Sequence, residues 1–129
     1  MDQMLESDYF VVEDGKSFAG KHLIIDMWEA QDLDNIEKLE KLIRKAISIS
    51  KATLLHIHLH QFSSSGGISG VAVLAESHLS VHTWPEKGFV AFDVFMCGKT
   101  SPEKTIEVLA NGLKAKSVKT KLIRRGENL

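Results

Sequence analysis

The stretch AESHLSVHTWPEKGFVAFDVFMCG, residues 75–98, sets the pattern for the rest of the chain. It begins at the end of an apolar run and contains two strand-like segments. Pro85 ends the first segment and favours an extended conformation at the preceding Trp84. The stretch is unusually rich in side chains that can take part in chemistry, more than packing of a small domain requires. They are Glu76, Ser77, His78, His82, Glu86, Asp93 and Cys97. We therefore expect the functional site on these two segments.

Apolar periodicity predicts the other strands, at residues 20–29, 53–62, 68–76, 79–84, 89–97 and 118–124. The second of these alternates strictly, which predicts that Leu55, Ile57 and Leu59 face one side of a sheet and that His56, His58, His60 and Phe62 face the other. The histidine row and Asp93 would then share a face with Cys97. We expect that face to carry the function.

Two helices are predicted between the strands. Residues 36–50 have an apolar stripe at helical spacing, and Asp34 with Glu37 resembles a capping box at its start. Ser101 and Pro102 have the residue types that begin a second helix. The order β-α-β-β-β-β-α-β predicts an α+β fold, a two-layer sandwich of an antiparallel sheet with two helices on one face.

Size and composition limit the class of protein. The chain of 129 residues fits one domain, and we expect a flexible N-terminal arm over residues 1–18 followed by a single domain over residues 19–129. A net charge of -1 gives no basic excess for a nucleic-acid partner, and no apolar run reaches the roughly 18 residues of a membrane span. One cysteine cannot form an internal disulfide, and the acidic start lacks a secretory signal, so we expect a soluble, cytoplasmic protein.

Ser77 is predicted to be the reactive residue because it stands where the apolar run meets a turn. A serine hydroxyl can attack the carbonyl carbon of its own preceding peptide bond and replace the amide with an ester. Removal of the Cα proton of Ser77 then eliminates Glu76 as a new C-terminus and leaves dehydroalanine, which hydrolyses to ammonia and a pyruvoyl group. His82, five residues away across a predicted tight reversal, is the expected base, and Ser69 can hydrogen-bond the developing oxyanion.

A pyruvoyl ketone suits the decarboxylation of an amino acid. It forms a Schiff base with a substrate amine and accepts the electron pair left when CO₂ departs. The resulting carbanion must be protonated, and the Cys97 thiol, on the predicted functional face, is a suitable donor.

The same segments resemble a known family. ESHLSVHTWPE, with GKHLIID upstream and FDVFMCG downstream, is similar to the prokaryotic (bacterial and archaeal) type of S-adenosylmethionine decarboxylase proenzyme. The resemblance implies a zymogen that cuts itself between Glu76 and Ser77 into a β chain (1–76) and an α chain (77–129). The residue matching Ser77 becomes the pyruvoyl cofactor. The product, decarboxylated S-adenosylmethionine, supplies aminopropyl groups for spermidine synthesis.

The resemblance also implies roles for single residues. His82 is expected to accept a proton during processing, Ser69 to assist processing, and Cys97 to be the catalytic proton donor. Glu86 is expected to bind the ribose hydroxyls of the substrate and Phe62 to stack on its adenine. Family members act as homodimers of cleaved αβ units, with sites at or near the subunit interface.

Other interpretations of these residues remain open. Asp93 can bind the substrate or satisfy neighbouring strand groups. The same scaffold can carry a pyruvoyl-dependent arginine or ornithine decarboxylase, or a non-enzymatic partner subunit, although such partners usually lose the processing serine or its base. A metal-dependent hydrolase built on His56, His58 and His60 is disfavoured, because strand positions i and i+4 lie ~13 Å apart. We therefore expect no metal.

Overall fold

A computed structural model of the chain describes residues 11–127. Its elements in chain order are β1 (Val11–Glu13), β2 (Lys16–Phe18), β3 (Gly20–Trp28), α1 (Ile36–Ile49), β4 (Thr53–Gln61), β5 (Ile68–Ala75), β6 (Ser77–Trp84), a 3₁₀ turn (Pro85–Lys87), β7 (Phe89–Met96), α2 (Lys104–Gly112) and β8 (Ser117–Arg125). Strands β3 to β8 form one antiparallel sheet in the order β4-β5-β6-β7-β3-β8. The predicted α+β sandwich is confirmed, and from β3 onward the elements follow the predicted order; β1 and β2 were not predicted.

Both helices pack on one face of this sheet. Every second residue of β3 and β7 points toward them and is fully buried, as at Ile25, Met27, Val90, Phe92 and Val94. Burying each such side chain contributes about 1.5–3 kcal/mol, so this layer supplies the main stability of the fold. The opposite face has no helix over it among the described residues, and we call it the open face.

The helix starts differ slightly from the sequence prediction. The N-cap of α1 is Asn35, whose side chain accepts a hydrogen bond from the backbone N–H of Lys38 at 3.1 Å, so the predicted cap at Asp34 is one residue too early. Helix α2 begins at Lys104. Ser101 and Pro102 form a turn before it, in which the Ser101 carbonyl accepts a hydrogen bond from the Lys104 N–H and the Pro102 carbonyl accepts one from the Thr105 N–H. A turn of this kind satisfies the first helical N–H groups without a side-chain cap.

Strand β4 contains an irregularity that the strict alternation did not predict. The register with β5 shifts between Leu54 and His56, and Leu55 is 63% exposed rather than buried. A β-bulge inserts one residue and turns its side chain away from the expected face. Beyond the bulge, the alternation is as predicted, and His56, His58 and His60 pair with the open-face residues Val73, Val71 and Ser69.

The predicted flexible arm over residues 1–18 needs a correction for its described part. Residues 1–10 lie outside the described residues, but β1 and β2 form a hairpin whose Phe18 is fully buried. Asp14 and Gly15 both have positive φ, as a two-residue hairpin turn requires. Glu13 anchors the hairpin to the sheet through an ion pair of 2.6 Å with Lys21.

The sheet has two ends that carry different residues. Because all its strands are antiparallel, the start of β6 lies beside the end of β7 and near the start of β3; we call this the Ser77 end. The opposite end holds Trp84, Phe89, Trp28 and the start of β5 at Ile68, and we call it the Trp84 end. All the predicted site residues fall at one of these ends or between them.

Candidate active site

Ser77 begins β6 immediately after Glu76, the one residue that connects β5 to β6. Its φ is 111°, in a region that residues other than glycine rarely adopt. Such a conformation costs on the order of 1–3 kcal/mol and is held by the structure around it. Backbone strain therefore lies at the residue whose preceding peptide bond is predicted to be cut.

Cys97 lies next to Ser77. Its Sγ is 3.1 Å from the Ser77 Oγ, and both residues are half-buried. Thr100 fixes the backbone here by donating its hydroxyl hydrogen to the Cys97 carbonyl at 2.9 Å. A Cβ at Gly20 would come within 2.9 Å of the same sulfur, so glycine leaves the space that the thiol occupies. The structure thus brings the predicted proton donor and the predicted reactive serine together.

Asp93 is the centre of a hydrogen-bond network on the open face. Its carboxylate accepts from Nε2 of His22, from Nε2 of His78 at 3.1 Å and from the Ser80 hydroxyl at 2.9 Å. Burial raises the pKa of the Asp93 carboxyl, but these hydrogen bonds and the electrostatic influence of the two imidazoles lower it more, so its pKa lies below the ordinary value. Asp93 is therefore a well-satisfied anion.

Sequence reasoning missed two members of this network. His78 belongs to the quoted stretch but received no role, and His22 was read only as part of a strand. The alternation of β3 would have placed His22 on the open face, although its pairing with Asp93 depends on the register of β3 with β7. His22, His78 and Asp93 are also the residues in the described part of the chain whose ligand atoms come within 4.8 Å of one another, as a metal site needs. The histidine row of β4 does not form such a group there.

Ser69 and His82 meet at the Trp84 end. They are direct partners across β5 and β6, with the Ser69 Oγ 3.0 and 3.1 Å from the two ring nitrogens of His82. His82 is not across a reversal from Ser77, because both lie on the continuous strand β6. Five residues of strand span about 16 Å, so the sequence-based placement of His82 beside Ser77 in one chain is wrong.

Glu86 and Phe62 also lie at the Trp84 end. Glu86 is exposed in the 3₁₀ turn that follows Trp84, and Phe62 follows the last residue of β4 and is 45% exposed. Beside the 3₁₀ turn is an aromatic surface in which the Phe89 ring lies 5.6 Å from Trp28 and 5.3 Å from Trp84, whereas the Phe62 ring contacts His60.

The open face has two shallow cavities near these residues. One of about 430 Å³ lies over the aromatic surface and is lined by Trp28, Trp84, Lys87 and Phe89. A second of about 380 Å³ runs from Trp84 and His82 to Asp93. The structure therefore places Ser77 and Cys97 at the Ser77 end and Ser69, His82, Glu86 and Phe62 at the Trp84 end, with Asp93 between them.

The chain resembles known proteins over most of its length. A family model described as S-adenosylmethionine decarboxylase matches residues 21–126. The chain is similar to the S-adenosylmethionine decarboxylase proenzyme of Methanococcus vannielii, with 47% identity over 83% of this chain and 89% of the relative. It is 40% identical to that of Thermomicrobium roseum over 83% of this chain and 93% of the relative.

A solved structure supports the same relationship. The crystal structure of the adenosylmethionine decarboxylase from Aquifex aeolicus superposes with a TM-score of 0.72 and 29% sequence identity. The match covers 83% of this chain and 90% of that one.

Proposed function

The chain belongs to the S-adenosylmethionine decarboxylase family, and we propose that it makes a pyruvoyl group from its own Ser77 and uses it to decarboxylate S-adenosylmethionine. The protein is a carbon–carbon lyase that releases CO₂ from S-adenosylmethionine and leaves S-adenosylmethioninamine. The observation that carries the proposal is the reactive pair: Ser77 at positive φ, with the Cys97 thiol 3.1 Å from its hydroxyl.

Self-processing begins with attack of the Ser77 Oγ on the carbonyl carbon of Glu76. The C–N bond breaks, the amide nitrogen takes up a proton, and an ester joins the two residues. A base removes the Cα proton of Ser77, and Glu76 leaves as a carboxylate. The dehydroalanine that remains takes up a proton at Cβ to become an imine, and water replaces the imine nitrogen, which departs as ammonia. The strained backbone at Ser77 supports this route, because cleavage releases the strain.

Residues at the Ser77 end fit the pyruvoyl group. It supplies a ketone that condenses with the substrate amine and accepts the electron pair left by CO₂. The position of Ser77 is half-buried, which limits access of water, and Cys97, 3.1 Å from the Ser77 hydroxyl, is close enough to deliver a proton to the substrate carbon that loses CO₂. Cys97 is thus the proposed catalytic proton donor.

The other residues of the proposed site lie at the opposite end of the same sheet. His82 and Glu86 are carried by the end of β6 and the turn after it, about 16 Å or more from Ser77 by the rise of a strand. One chain therefore holds half of each proposed site. A homodimer whose open faces pack together with opposite directions would place the Trp84 end of one chain over the Ser77 end of the other.

The surface of the open face supports such packing. Val71 and Val73 are 40% and 42% exposed there, and Trp28 and Trp84 add aromatic area. Two-fold dimers use the same patch on both subunits, so one apolar face is sufficient for both partners. In the dimer, Ser69 and His82 of one chain would assist processing of the partner, and Glu86 and Phe62 would hold the ribose and adenine of its substrate.

The aromatic surface favours a nucleoside substrate over a small amino acid. Adenine stacks on aromatic side chains, whereas ornithine has no flat group to place there. Within residues 11–127, neither helix is long and apolar enough to span a lipid bilayer. We propose a cytoplasmic enzyme whose product supplies aminopropyl groups for spermidine synthesis.

Intact-mass spectrometry tests the cofactor, and CO₂ release tests the substrate. We expect two fragments divided before residue 77: a longer β chain, and an α chain whose N-terminus is a ketone. CO₂ release from S-adenosylmethionine should exceed that from arginine and ornithine. An uncut chain would refute the pyruvoyl mechanism, and preferential release from arginine or ornithine would refute the substrate.

A further inference from the structure

We infer that Asp93 is a positioning residue that anchors the chain end carrying the pyruvoyl group, through its hydrogen bond with His78, and that His22 orients the Asp93 carboxylate for this purpose. The inference rests on the proposed cleavage before Ser77, because it concerns what holds the new chain end after the cut.

The strand register explains how one carboxylate reaches both imidazoles. His78 on β6 and His22 on β3 both lie opposite Phe95 of β7, one on each side of it. Asp93 is two residues from Phe95 on the same face, so it is a diagonal neighbour of both. Its Oδ1 accepts from His22, and its Oδ2 accepts from His78 at 3.1 Å and from Ser80 at 2.9 Å.

Arg125 determines which nitrogen of His22 carries the proton. The guanidinium donates to Nδ1 of His22 at 2.8 Å, and arginine has no acceptor atom. Nδ1 must therefore be unprotonated, so the neutral ring carries its hydrogen on Nε2, which points at Asp93. The direction of both hydrogen bonds is thus fixed: Arg125 donates to His22, and His22 donates to the Asp93 carboxylate.

The same tautomer argues against a metal ion among these residues. A histidine that binds a metal usually donates its other N–H to a carboxylate or carbonyl group. Here the other nitrogen of His22 accepts from a cation instead. The cluster of His22, His78 and Asp93, although close enough to share an ion, has the arrangement of a hydrogen-bonded anion.

Cleavage changes what holds the reactive residue. Before the cut, peptide bonds to Glu76 and to His78 hold Ser77 on both sides. After the cut, only the bond to His78 remains, and free strand ends tend to fray. The His78 imidazole is tied to Asp93, two residues before Phe95 on the neighbouring strand, and this tie limits movement of the new terminus. Asp93 should therefore matter more for turnover than for cleavage.

The test compares cleavage with turnover in Asp93→Asn, His78→Leu and His78→Gln. Intact mass should show complete cleavage in all three. Misplacing a reacting group by about 1 Å can cost about 100-fold, so we expect kcat to fall by about tenfold to 100-fold in Asp93→Asn and His78→Leu. KM should change by less than about threefold, because substrate recognition lies at the Trp84 end. His78→Gln should regain much of kcat, since an amide N–H can still donate to Asp93.

A control and several outcomes make the test decisive. Asp32→Asn removes another hydrogen-bonded carboxylate, on the scaffold beside Lys38, and should leave kcat unchanged. Wild-type kcat in Asp93→Asn, or equal losses in His78→Gln and His78→Leu, would overturn the inference. A stoichiometric metal ion in the wild type that Asp93→Asn loses would also overturn it.

Two further results separate failure of the inference from failure of a variant to fold or of the proposed function. If Asp93→Asn fails to fold, the comparison of His78→Gln with His78→Leu decides the question alone. An uncut wild-type chain would instead refute the proposed function, which separates the two failures.

Discussion

The Ser77 end and the Trp84 end of the sheet are built differently. At the Ser77 end the polar groups are half-buried and tied to one another, with Ser77 at positive φ against Cys97. At the Trp84 end, His82 and Glu86 are exposed on or beside an aromatic surface. The first end suits bond breaking, which needs fixed atoms, and the second suits recognition of a flat ligand. Under the proposed function, each end of one chain supplies part of a site that a second chain completes.

The largest effect should come from removing the hydroxyl of the reactive residue. Ser77→Ala is expected to give an uncut chain with no detectable decarboxylation, because no nucleophile remains to attack Glu76. Intact mass and CO₂ release measure this, and an unchanged thermal unfolding curve would show that the fold is retained. Ser64→Ala, in the exposed loop after β4, is the matched control and should behave as wild type. Activity in an uncut Ser77→Ala chain would exclude the pyruvoyl mechanism.

Cys97→Ala separates the two steps at the Ser77 end. Processing should continue, since the attacking oxygen belongs to Ser77, but turnover should fall by about 10²- to 10⁴-fold, the usual contribution of a positioned acid. The products should include misprotonated species when the reaction is followed by mass spectrometry. Normal turnover in Cys97→Ala would remove the proton-donor role and leave the thiol as a packing residue.

Gly20→Ala tests how closely the Ser77 end is packed. The added Cβ would lie 2.6 Å from the Met96 carbonyl and 2.9 Å from the Cys97 sulfur, so backbone and thiol must move. Overpacking typically costs about 1–3 kcal/mol, and we expect that loss of unfolding free energy together with reduced turnover. Gly112→Ala, on the helix layer, meets mainly the side chain of Leu42 and serves as the control. If Gly20→Ala turns over normally, the position of the thiol is less critical than proposed.

The smallest expected effect is a loss of folding stability at acidic pH, caused by protonation of Asp93. Its pKa is lowered in the folded chain, so its contribution to stability is complete above the unfolded value of about 3.9 and is lost as pH falls through the lower folded pKa. His22, His78 and Ser80 contact the carboxylate, and Arg125 lies behind His22. Unfolding free energies of wild type and Asp93→Asn should converge below about pH 4. A constant difference between them at all pH values would contradict the assignment of an ionised carboxylate.

Local patterns in the sequence were sufficient for the fold but not for the site. The order of strands and helices follows from apolar periodicity, which reports burial directly. The hairpin of residues 11–18 was missed, although Asp14-Gly15 is a hairpin signal, because strands of three residues have no measurable periodicity. The bulge at Leu55 cannot be read from a sequence that alternates perfectly.

The sequence singled out individual residues of the candidate site but not their arrangement. Ser77 and Cys97 were both singled out, and they lie 3.1 Å apart; their catalytic roles stay predictions. The network of His22, His78 and Asp93 depends on the register of three strands, which residue types do not specify. The placement of His82 failed because the turn before β6 is a single residue, which leaves Ser77 and His82 at opposite ends of one strand.

The most direct test of a site shared between two chains is to co-express Ser77→Ala and His82→Ala chains carrying different tags. The account predicts that each variant alone stays uncut or is cut slowly. In the hybrid dimer, isolated through both tags, the His82→Ala chain should be cut before residue 77, because its own Ser77 and Cys97 face the intact His82 of the other chain. A hybrid that forms but stays uncut, or a His82→Ala chain that is cut alone at the wild-type rate, would contradict the account.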